Sequence, residues 1–356
     1  MSAREGVNQR YAQIIGRRVL FISFLSVLLV CSIIVSVLVG SASISAKDVV
    51  HALFSKFVPF CSSSGIAQTI VWELRLPRVL MAAIAGMAFA VAGAIMQSVL
   101  RNPLASPYTL GMASGAAFGA ALAIVLEVGV LGSSKSPYGW LIVTNAFIFS
   151  LIPSFVVVSL AKLKGASPET LILSGIAMMY LFSAGTSLLQ YIGREEDVAA
   201  VVYWLFGSLS KATWKNLKIV SVISLPLLIP ALKLSWDFNA LFAGDEVAKS
   251  LGVNMEVVRL GGIILSSLLT AIPVCFLGTI GFIGLVAPHM ARIIVGVDHR
   301  FLFPASGLLG AVILLVADTA ARTILSPIVL PVGVLTSFLG VPLFLYLMMR
   351  RRREYW

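Results

Sequence analysis

The sequence is poor in charged residues and in the side chains that bind metals. Only 12% of its 356 residues are charged and 59% are hydrophobic, whereas a soluble domain is typically about 25% charged and about half apolar. The three cysteines and three histidines do not show the spacing of a metal site. This composition excludes an ordinary soluble enzyme, a disordered chain and a disulfide-rich secreted domain, and it predicts an integral membrane protein.

The sequence also lacks the motifs of common catalytic sites. It contains neither the Gly-Lys-Ser/Thr of a nucleotide-binding Walker A loop nor the Gly-x-Ser-x-Gly of a hydrolase nucleophile. We therefore expect a chain that is not an enzyme and holds no cofactor or metal. If transport uses ATP and Mg²⁺, a separate ATPase subunit must bind them.

What the sequence has instead is a series of apolar segments long enough to cross a bilayer. The segment 260–294 carries one full charge, Arg292, and as a single helix it would be about 52 Å long. Because Pro273 and Gly278 interrupt it, we expect two crossings joined by a tight turn. The ten predicted spans are 19–40, 77–100, 107–127, 139–161, 170–192, 215–233, 257–276, 279–295, 302–321 and 331–349. The expected fold is all-α, with one transmembrane domain over residues 19–350.

The distribution of basic residues predicts the orientation. The 26 Lys and Arg residues exceed the 15 Asp and Glu residues, which gives a net charge of +11. With ten spans, most of the basic residues lie on the cytoplasmic side if both the segment 1–18 and the basic tail 350–356 are cytoplasmic. The excess then follows the positive-inside rule, so we expect a multi-pass protein of the cell membrane that contacts lipid and does not bind nucleic acid.

Small residues recur at helical spacing. Gly111, Gly115 and Gly119 lie four residues apart in the third predicted span, and such faces let helix backbones approach closely in lipid. The pattern fits packing within one subunit, packing between subunits or the lining of a pathway.

The cytoplasmic segment 237–256 contains the pattern of a short amphipathic helix. Asp245 and Glu246 favour a helix start, since carboxylates complement the positive end of the helix dipole, and Gly252 favours its end. The apolar side chains of this helix would share one face: Val247, Ala248 and Leu251. The pattern fits docking into a soluble partner and equally a helix that lies on the lipid surface.

Charged residues lie near the outer ends of two spans. Arg75 and Arg78 flank Pro77 at the start of the second span, where long basic side chains can extend to the interface. Asp318 and Arg322 are four residues apart in the ninth span. This spacing places them on one helical face, so we expect a structural ion pair that lowers the cost of charge near lipid.

Many ordered sequence blocks are similar to one known family. They are Trp72–Arg78, Gly93–Gln97, Arg101–Ala105, Tyr108–Gly111, Leu173–Gly175, Trp204–Ser208, Gly244–Ala248, Gly281–His289, Asp298–Arg300, Ala317–Asp318 and Leu330–Leu335. In these blocks the chain resembles the FecCD family of ABC-transporter permeases, the type II importer subunits for cobalamin, ferric siderophores and haem. The resemblance runs from about residue 45 to residue 350.

The resemblance implies an architecture and a set of partners. It implies the ten-helix fold of a type II ABC importer in a prokaryotic cell membrane, with a second permease subunit that we expect to be an identical chain. It further implies two cytoplasmic ABC ATPase subunits that bind ATP and Mg²⁺, and an external substrate-binding protein that delivers a metal chelate.

The resemblance also assigns roles to residues. The outer arginines that pair with carboxylates of the binding protein are matched by Arg75, Arg78 and Arg322. The ATPase-coupling region is matched by Gly244, Asp245, Glu246, Ala248, Ser250, Leu251 and Gly252. The inner hairpin that helps to close the cytoplasmic end is matched by Asn102 and Leu104, and Gln97, one turn before it, is expected on the translocation pathway.

An ion-coupled secondary transporter is the alternative. Such a protein needs ionisable residues in mid-membrane. The sequence offers little beyond Asp318, for which Arg322 is an obvious partner.

Overall fold

The computed structural model describes residues 2–41, 44–55, 65–130, 138–164 and 167–349. Within these residues the chain forms fifteen α-helices and no β-strand. The helices are α1 (Ser2–Leu38), α2 (Ala46–Phe54), α3 (Gly65–Thr69), α4 (Leu76–Val99), α5 (Met112–Val125), α6 (Tyr138–Lys164), α7 (Pro168–Ile192), α8 (Glu195–Leu205), α9 (Trp214–Lys233), α10 (Ser235–Ala243), α11 (Asp245–Ser250), α12 (Met255–Leu277), α13 (Ile283–Val295), α14 (His299–Thr323) and α15 (Val332–Met349). A π-helical turn, Ile70–Arg75, precedes α4, and a 3₁₀ turn, Pro107–Leu110, precedes α5.

The all-α prediction is confirmed, and each predicted span coincides with a helix. Among the described residues, seven helices are long and apolar enough to cross a bilayer: α1, α4, α6, α7, α9, α12 and α14. Three shorter apolar helices, α5, α13 and α15, lie at the remaining predicted spans. The tail 350–356 lies outside the described residues.

The predicted break in the segment 260–294 is present. Helix α12 ends at Leu277 and α13 begins at Ile283. Gly278 ends α12 with a positive φ of 76°, and a Cβ at this position would overlap the carbonyl oxygen of Trp204. Only glycine satisfies both conditions, so this residue fixes where the chain turns back.

Helix α4 is the centre of the bundle and is buried along almost its whole length. It packs against α14, α12, α13 and α9. Two glycine contacts set the closest approaches: a Cβ on Gly86 would overlap the backbone of Gly310 in α14, and one on Gly93 would overlap Gly284 in α13. Close backbone contact of this kind is how helices associate in lipid, where burial of apolar surface alone gives little driving force.

The small-residue face of α5 packs within the subunit. A Cβ on Gly115 would overlap the Phe149 carbonyl oxygen of α6, and one on Gly119 would overlap the Asn145 carbonyl oxygen. Of the three readings of this pattern, the structure therefore shows helix packing inside one chain.

Five of the described helices lie between the predicted spans: α2, α3, α8, α10 and α11. The predicted short helix of the segment 237–256 is present as α11, and the longer α10 occupies the first part of the same segment. The other four helices were not predicted, because they are too short and too mixed in composition to register as spans.

Glycine-to-alanine substitutions test the crossing of α4 and α14. We expect Gly86→Ala to lower the melting temperature of the purified protein, since the added methyl group must displace the Gly310 backbone at a cost of about 1–3 kcal/mol. Gly261→Ala is the matched control, because nothing lies within 4 Å of a Cβ at that position of α12. Equal melting temperatures for the two variants would contradict the crossing.

Candidate functional site: a polar cleft and two charged ends

A cleft of about 650 Å³ opens between α5, α7, α15 and the turn that joins α12 to α13. Its polar lining consists of hydroxyl and amide groups: Tyr108, Ser114, Ser183, Thr186, Ser187, Gln190, Thr279 and Ser337. Apolar side chains complete it, among them Val334 and Phe338. None of the described residues that line the cleft is charged.

One helix supplies half of the polar lining. The residues Ser183, Thr186, Ser187 and Gln190 recur at intervals of three and four along α7, which places them on a single face. The Ser183 hydroxyl lies 3.4 Å from the Ser114 hydroxyl of α5. A polar stripe on an apolar helix therefore faces the cleft.

Interrupted helices meet at this cleft. The Tyr108 hydroxyl donates to the Ile280 carbonyl oxygen at 2.9 Å and accepts from the Ile280 amide at 3.2 Å. The Ser208 amide donates to the Leu277 carbonyl oxygen at 2.7 Å, and the Gly333 amide donates to the Gly207 carbonyl oxygen at 3.3 Å. Non-helical backbone inside a membrane protein is stable where it is paired in this way or lines a cavity, and broken helices are typical of transporter binding sites.

The lengths of α5 and α13 agree with this position. With 14 and 13 residues, they are about 21 Å and about 20 Å long, shorter than a hydrocarbon core of about 30 Å. Such short helices leave room within the bilayer thickness for the Pro107–Leu110 turn and the turn after Gly278, which contact each other through Tyr108 and Ile280. The sequence showed the small residues of these segments but not that they meet.

Gln97 does not line the cleft. Its side chain is fully buried between α4 and α13, where its Oε1 accepts from Arg292 Nη2 at 3.1 Å and its Nε2 lies 3.4 Å from the Leu285 carbonyl oxygen. Its role on the pathway stays a prediction, and in this conformation it holds two helices together.

At the end of the bundle that the sequence predicts to face outward, Asp318 is fully buried and binds two arginines. Its carboxylate accepts from Arg78 Nη2 at 2.8 Å and from Arg322 Nε at 3.0 Å. The ion pair expected between Asp318 and Arg322 is thus present. Arg78, 240 residues away in sequence, is a second partner that the spacing did not reveal.

Arg322 and a further arginine, Arg75, cap the end of α1. Arg75 Nη1 donates to the carbonyl oxygens of Val37 and Leu38 at 2.8 and 2.9 Å. Arg322 donates to those of Ser36 and Val39, both at 3.1 Å. The last carbonyls of a helix have no partner within the helix, and cationic donors complement the negative end of its dipole.

The three outer arginines are therefore largely enclosed. Arg75 and Arg322 are each 4% exposed, and 12% of the Arg78 side chain reaches the surface. Docking of a partner on these residues stays a prediction, and the structure adds that all three hold α1, α4 and α14 together.

At the opposite end, α11 begins at Asp245 and ends at Ser250, with Gly252 just beyond it at a φ of 78°. The helix start and end predicted from the sequence are confirmed. Ala248 is buried, whereas 43% of Val247 and 66% of Leu251 are exposed. The three apolar residues therefore do not share one exposed face, because Ala248 packs inward whereas Val247 and Leu251 face outward. Gly244, at a φ of 122°, forms the junction with α10, and Glu246 is exposed.

The inner hairpin lies against this region. Asn102 Oδ1 accepts from the Leu104 amide at 2.9 Å, which fixes the turn, and Leu104 is 44% exposed. Arg101 Nη2 donates to the Leu241 carbonyl oxygen of α10 at 2.7 Å. The two segments that the sequence assigned to the cytoplasmic end are thus in direct contact.

The Asp318 cluster predicts a large cost for removing its carboxylate. We expect Asp318→Asn to lower the free energy of unfolding by about 3 kcal/mol or more, because it leaves two buried guanidinium groups without their counter-charge. Thermal unfolding in detergent measures the effect.

The control is Asp197→Asn. Asp197 binds Arg194 at 2.9 Å, and the Arg194 side chain is 74% exposed, so we expect a much smaller shift. Similar shifts for the two variants would show that the Asp318 cluster is not a stabilising centre.

Comparison with known proteins agrees with this arrangement. The chain is 47% identical over 97% of its length to an ABC transporter permease protein of Methanocaldococcus jannaschii, of which the match covers 98%. It is 39% identical over 94% of its length to the hemin transport system permease protein HmuU of Yersinia pestis, covering 97% of that protein. It is 36% identical over 92% of its length to the molybdate import system permease protein MolB of Haemophilus influenzae, covering 95% of it.

A solved structure gives the same result for the fold. An inward-facing conformation of a metal-chelate type ABC transporter superposes with a TM-score of 0.80 at 32% identity, covering 93% of this chain and 99% of that one. Residues 28–350 match the FecCD transport family. The chain belongs to the FecCD transport family.

Proposed function

We propose that this chain is the membrane-spanning subunit of an ABC importer that carries a metal chelate of the haem, ferric-siderophore or cobalamin type. An external binding protein delivers the chelate, and separate subunits hydrolyse ATP with Mg²⁺. The observation that carries the proposal is the cleft between interrupted helices, since family membership alone leaves the cargo open.

The uncharged lining of the cleft favours a cargo in which the metal is enclosed by an organic chelator over a small inorganic oxyanion. A small oxyanion such as molybdate exchanges its hydration for cationic groups or helix N-termini. None of the described lining residues is charged, so only the first turns of α5 and α15 would offer such donors to it. A chelate keeps its metal charge inside an organic shell that has apolar surface and hydrogen-bonding groups. Hydroxyls and amides beside Val334 and Phe338 suit both kinds of surface.

A second copy of the chain would complete the cleft. Phe338 of α15 lines the cleft and is 73% exposed, and its neighbour Leu339 is 59% exposed. On α7, Leu181 and Leu188 are each 62% exposed next to the polar stripe. We infer that these faces of α7 and α15 meet their equivalents in a homodimer with the pathway at its axis.

At the cytoplasmic side, α11 supplies the contact with the ATPase. Exposed Val247 and Leu251 fit a groove on a soluble partner, because this pair of apolar side chains sits on a short helix at the end of the loop. At the outer side, Arg78 is the least enclosed of the three arginines, so a carboxylate of the binding protein would meet it first.

Ion-coupled transport is less favoured by the geometry. Such a mechanism needs an ionisable group that can exchange a cation with the pathway. Asp318 is fully buried and bonded to Arg78 and Arg322, and it is not among the residues that line the cleft.

Reconstitution tests the function. The chain would be placed in liposomes with its proposed ATPase and binding-protein partners, and uptake of haemin, a ferric hydroxamate and cyanocobalamin would be measured, with molybdate for comparison. We expect uptake of a chelate only when both ATP and the binding protein are present. Uptake driven by a proton or sodium gradient without ATP would overturn the proposal, and uptake of molybdate alone would overturn its cargo assignment.

The coupling role of α11 gives a further prediction. We expect Leu251→Ser to lower ATP hydrolysis stimulated by the binding protein about tenfold, the effect of losing one buried apolar anchor at an interface. The control is Leu225→Ser on α9, a leucine that is 42% exposed and far from α11 in sequence. Unchanged stimulation in Leu251→Ser would mean that α11 lies on the lipid surface instead.

A further inference from the structure

A polar cluster at the cytoplasmic end joins four helices, and the function assigned above does not use it. Asp298 caps the N-terminus of α14 and lies at its centre. Its carboxylate accepts from Arg300 Nη2 at 2.7 Å, from Arg18 Nη1 of α1 at 3.2 Å and from Asn239 Nδ2 of α10 at 3.0 Å. Burial alone would raise the pKa of the Asp298 carboxyl, but the hydrogen bonds from Arg300 and Asn239 lower that pKa to about 2. The carboxylate is therefore ionised at physiological pH.

Asn239 connects this carboxylate to the helix that follows it. A carboxylate only accepts hydrogen bonds, so the Asn239 amide must turn its Nδ2 toward Asp298 and its Oδ1 toward His299. There Oδ1 accepts from the His299 amide at 2.8 Å and from His299 Nδ1 at 2.7 Å. The Asn239 amide therefore donates from its nitrogen and accepts at its oxygen. No other residue type carries one such donor and one such acceptor on a side chain of this length.

The chain of contacts ends on the central helix. His299 is 1% exposed, and its Nε2 lies 2.5 Å from the hydroxyl of Ser98, which is itself fully buried in α4. This relay of hydrogen bonds therefore runs from Asp298 through Asn239 of α10 and His299 of α14 to Ser98 of α4.

Two further contacts fix α10 to the same pair of helices. The Arg300 guanidinium stacks over the Trp236 ring with its carbon 4.1 Å from the ring centre. Arg101 binds the Leu241 carbonyl oxygen, and Phe238 of α10 is fully buried. Helix α10 is therefore anchored in the bundle, whereas Val247 and Leu251 of α11 point away from it.

The helices α4 and α14 are joined at both ends and along their length. They are joined by Ser98 and His299 at the inner end, by Gly86 and Gly310 along their length, and by Arg78 and Asp318 at the outer end. A displacement of α10 toward or away from the bundle would therefore be carried to the outer end of this pair.

We propose that Asn239 is a positioning residue that transmits movement of the coupling segment to the α4–α14 pair, through its simultaneous hydrogen bonds to Asp298 and His299. The inference rests on the proposed function, since it assumes that an ATPase acts on α11. Helix α10 is then the mechanical link between the coupling segment and the bundle, whereas Val247 and Leu251 face outward.

The test compares two bridging asparagines. Asn239→Leu removes the relay, and Asn145→Leu is the matched control. Asn145 is a buried amide of α6 that also makes two hydrogen bonds, with the Val128 carbonyl oxygen at 2.8 Å and the Val130 amide at 3.1 Å, but it ties down the outer segment after α5. Each variant is reconstituted with the ATPase and the binding protein, and both chelate uptake and ATP hydrolysis are measured with haemin, a ferric hydroxamate and cyanocobalamin as cargo.

We expect Asn239→Leu to hydrolyse ATP at close to the wild-type rate while chelate transported per ATP falls about tenfold, the effect of losing hydrogen bonds to a charged group. We expect Asn145→Leu to lower the melting temperature without changing chelate transported per ATP. A wild-type ratio in Asn239→Leu, or an equal fall in both variants, would overturn the relay.

A charge exchange keeps the test decisive if Asn239→Leu does not assemble. Asn239→Asp places two carboxylates side by side and should lower the transport ratio. The double variant Asn239→Asp with Asp298→Asn restores one amide and one carboxylate, and we expect it to recover most of the ratio. Failure of the double variant to recover would overturn the relay. Absence of ATP-dependent uptake in the wild type would instead contradict the proposed function.

Discussion

The close contact of α4 with α14 and α13 is the constraint on which the rest of the structure depends. In lipid, helices gain little from burying apolar surface, so association requires backbones that approach closely and polar groups that pair. Gly86 against Gly310 and Gly93 against Gly284 allow that approach. Because α4 is enclosed on nearly every side, any helix that lines the cleft or carries the cytoplasmic segments is positioned directly or indirectly by this contact.

Each end of α14 carries an acidic residue that binds arginines; Asp318 is fully buried and Asp298 is partly buried. At the outer end Asp318 binds Arg78 and Arg322, and at the inner end Asp298 binds Arg18 and Arg300. Helix α1 is held near its middle, where Arg18 binds Asp298, and at its C-terminal end, where Arg322 caps its carbonyl oxygens. These polar contacts add to the apolar packing of α1 against α14 and the core.

The sequence was sufficient where the signal is local. Runs of apolar residues gave the ten helices, Gly278 marked the turn after α12, and the interval of four residues paired Asp318 with Arg322. It was insufficient where partners are distant, since Arg78 and Asp318 are 240 residues apart and Asn239 lies 59 residues from Asp298. Gln97 illustrates the limit: the resemblance and its position one turn before the inner hairpin placed it on the pathway, whereas the fold shows its side chain bonded to Arg292 and outside the cleft. The roles assigned to the outer arginines and to α11 by resemblance stay predictions.

The absence of charge among the described residues that line the cleft affects the permeability to small ions as well as the choice of cargo. A corridor of hydroxyls, amides and apolar side chains offers a hydrated proton or sodium ion no fixed counter-charge, and moving an unpaired ion through such surroundings is costly. A passage wide enough for a large organic complex would ordinarily threaten the gradients that the cell maintains. If cargo passes through this cleft as proposed, the same uncharged lining would also be an electrostatic barrier to small ions.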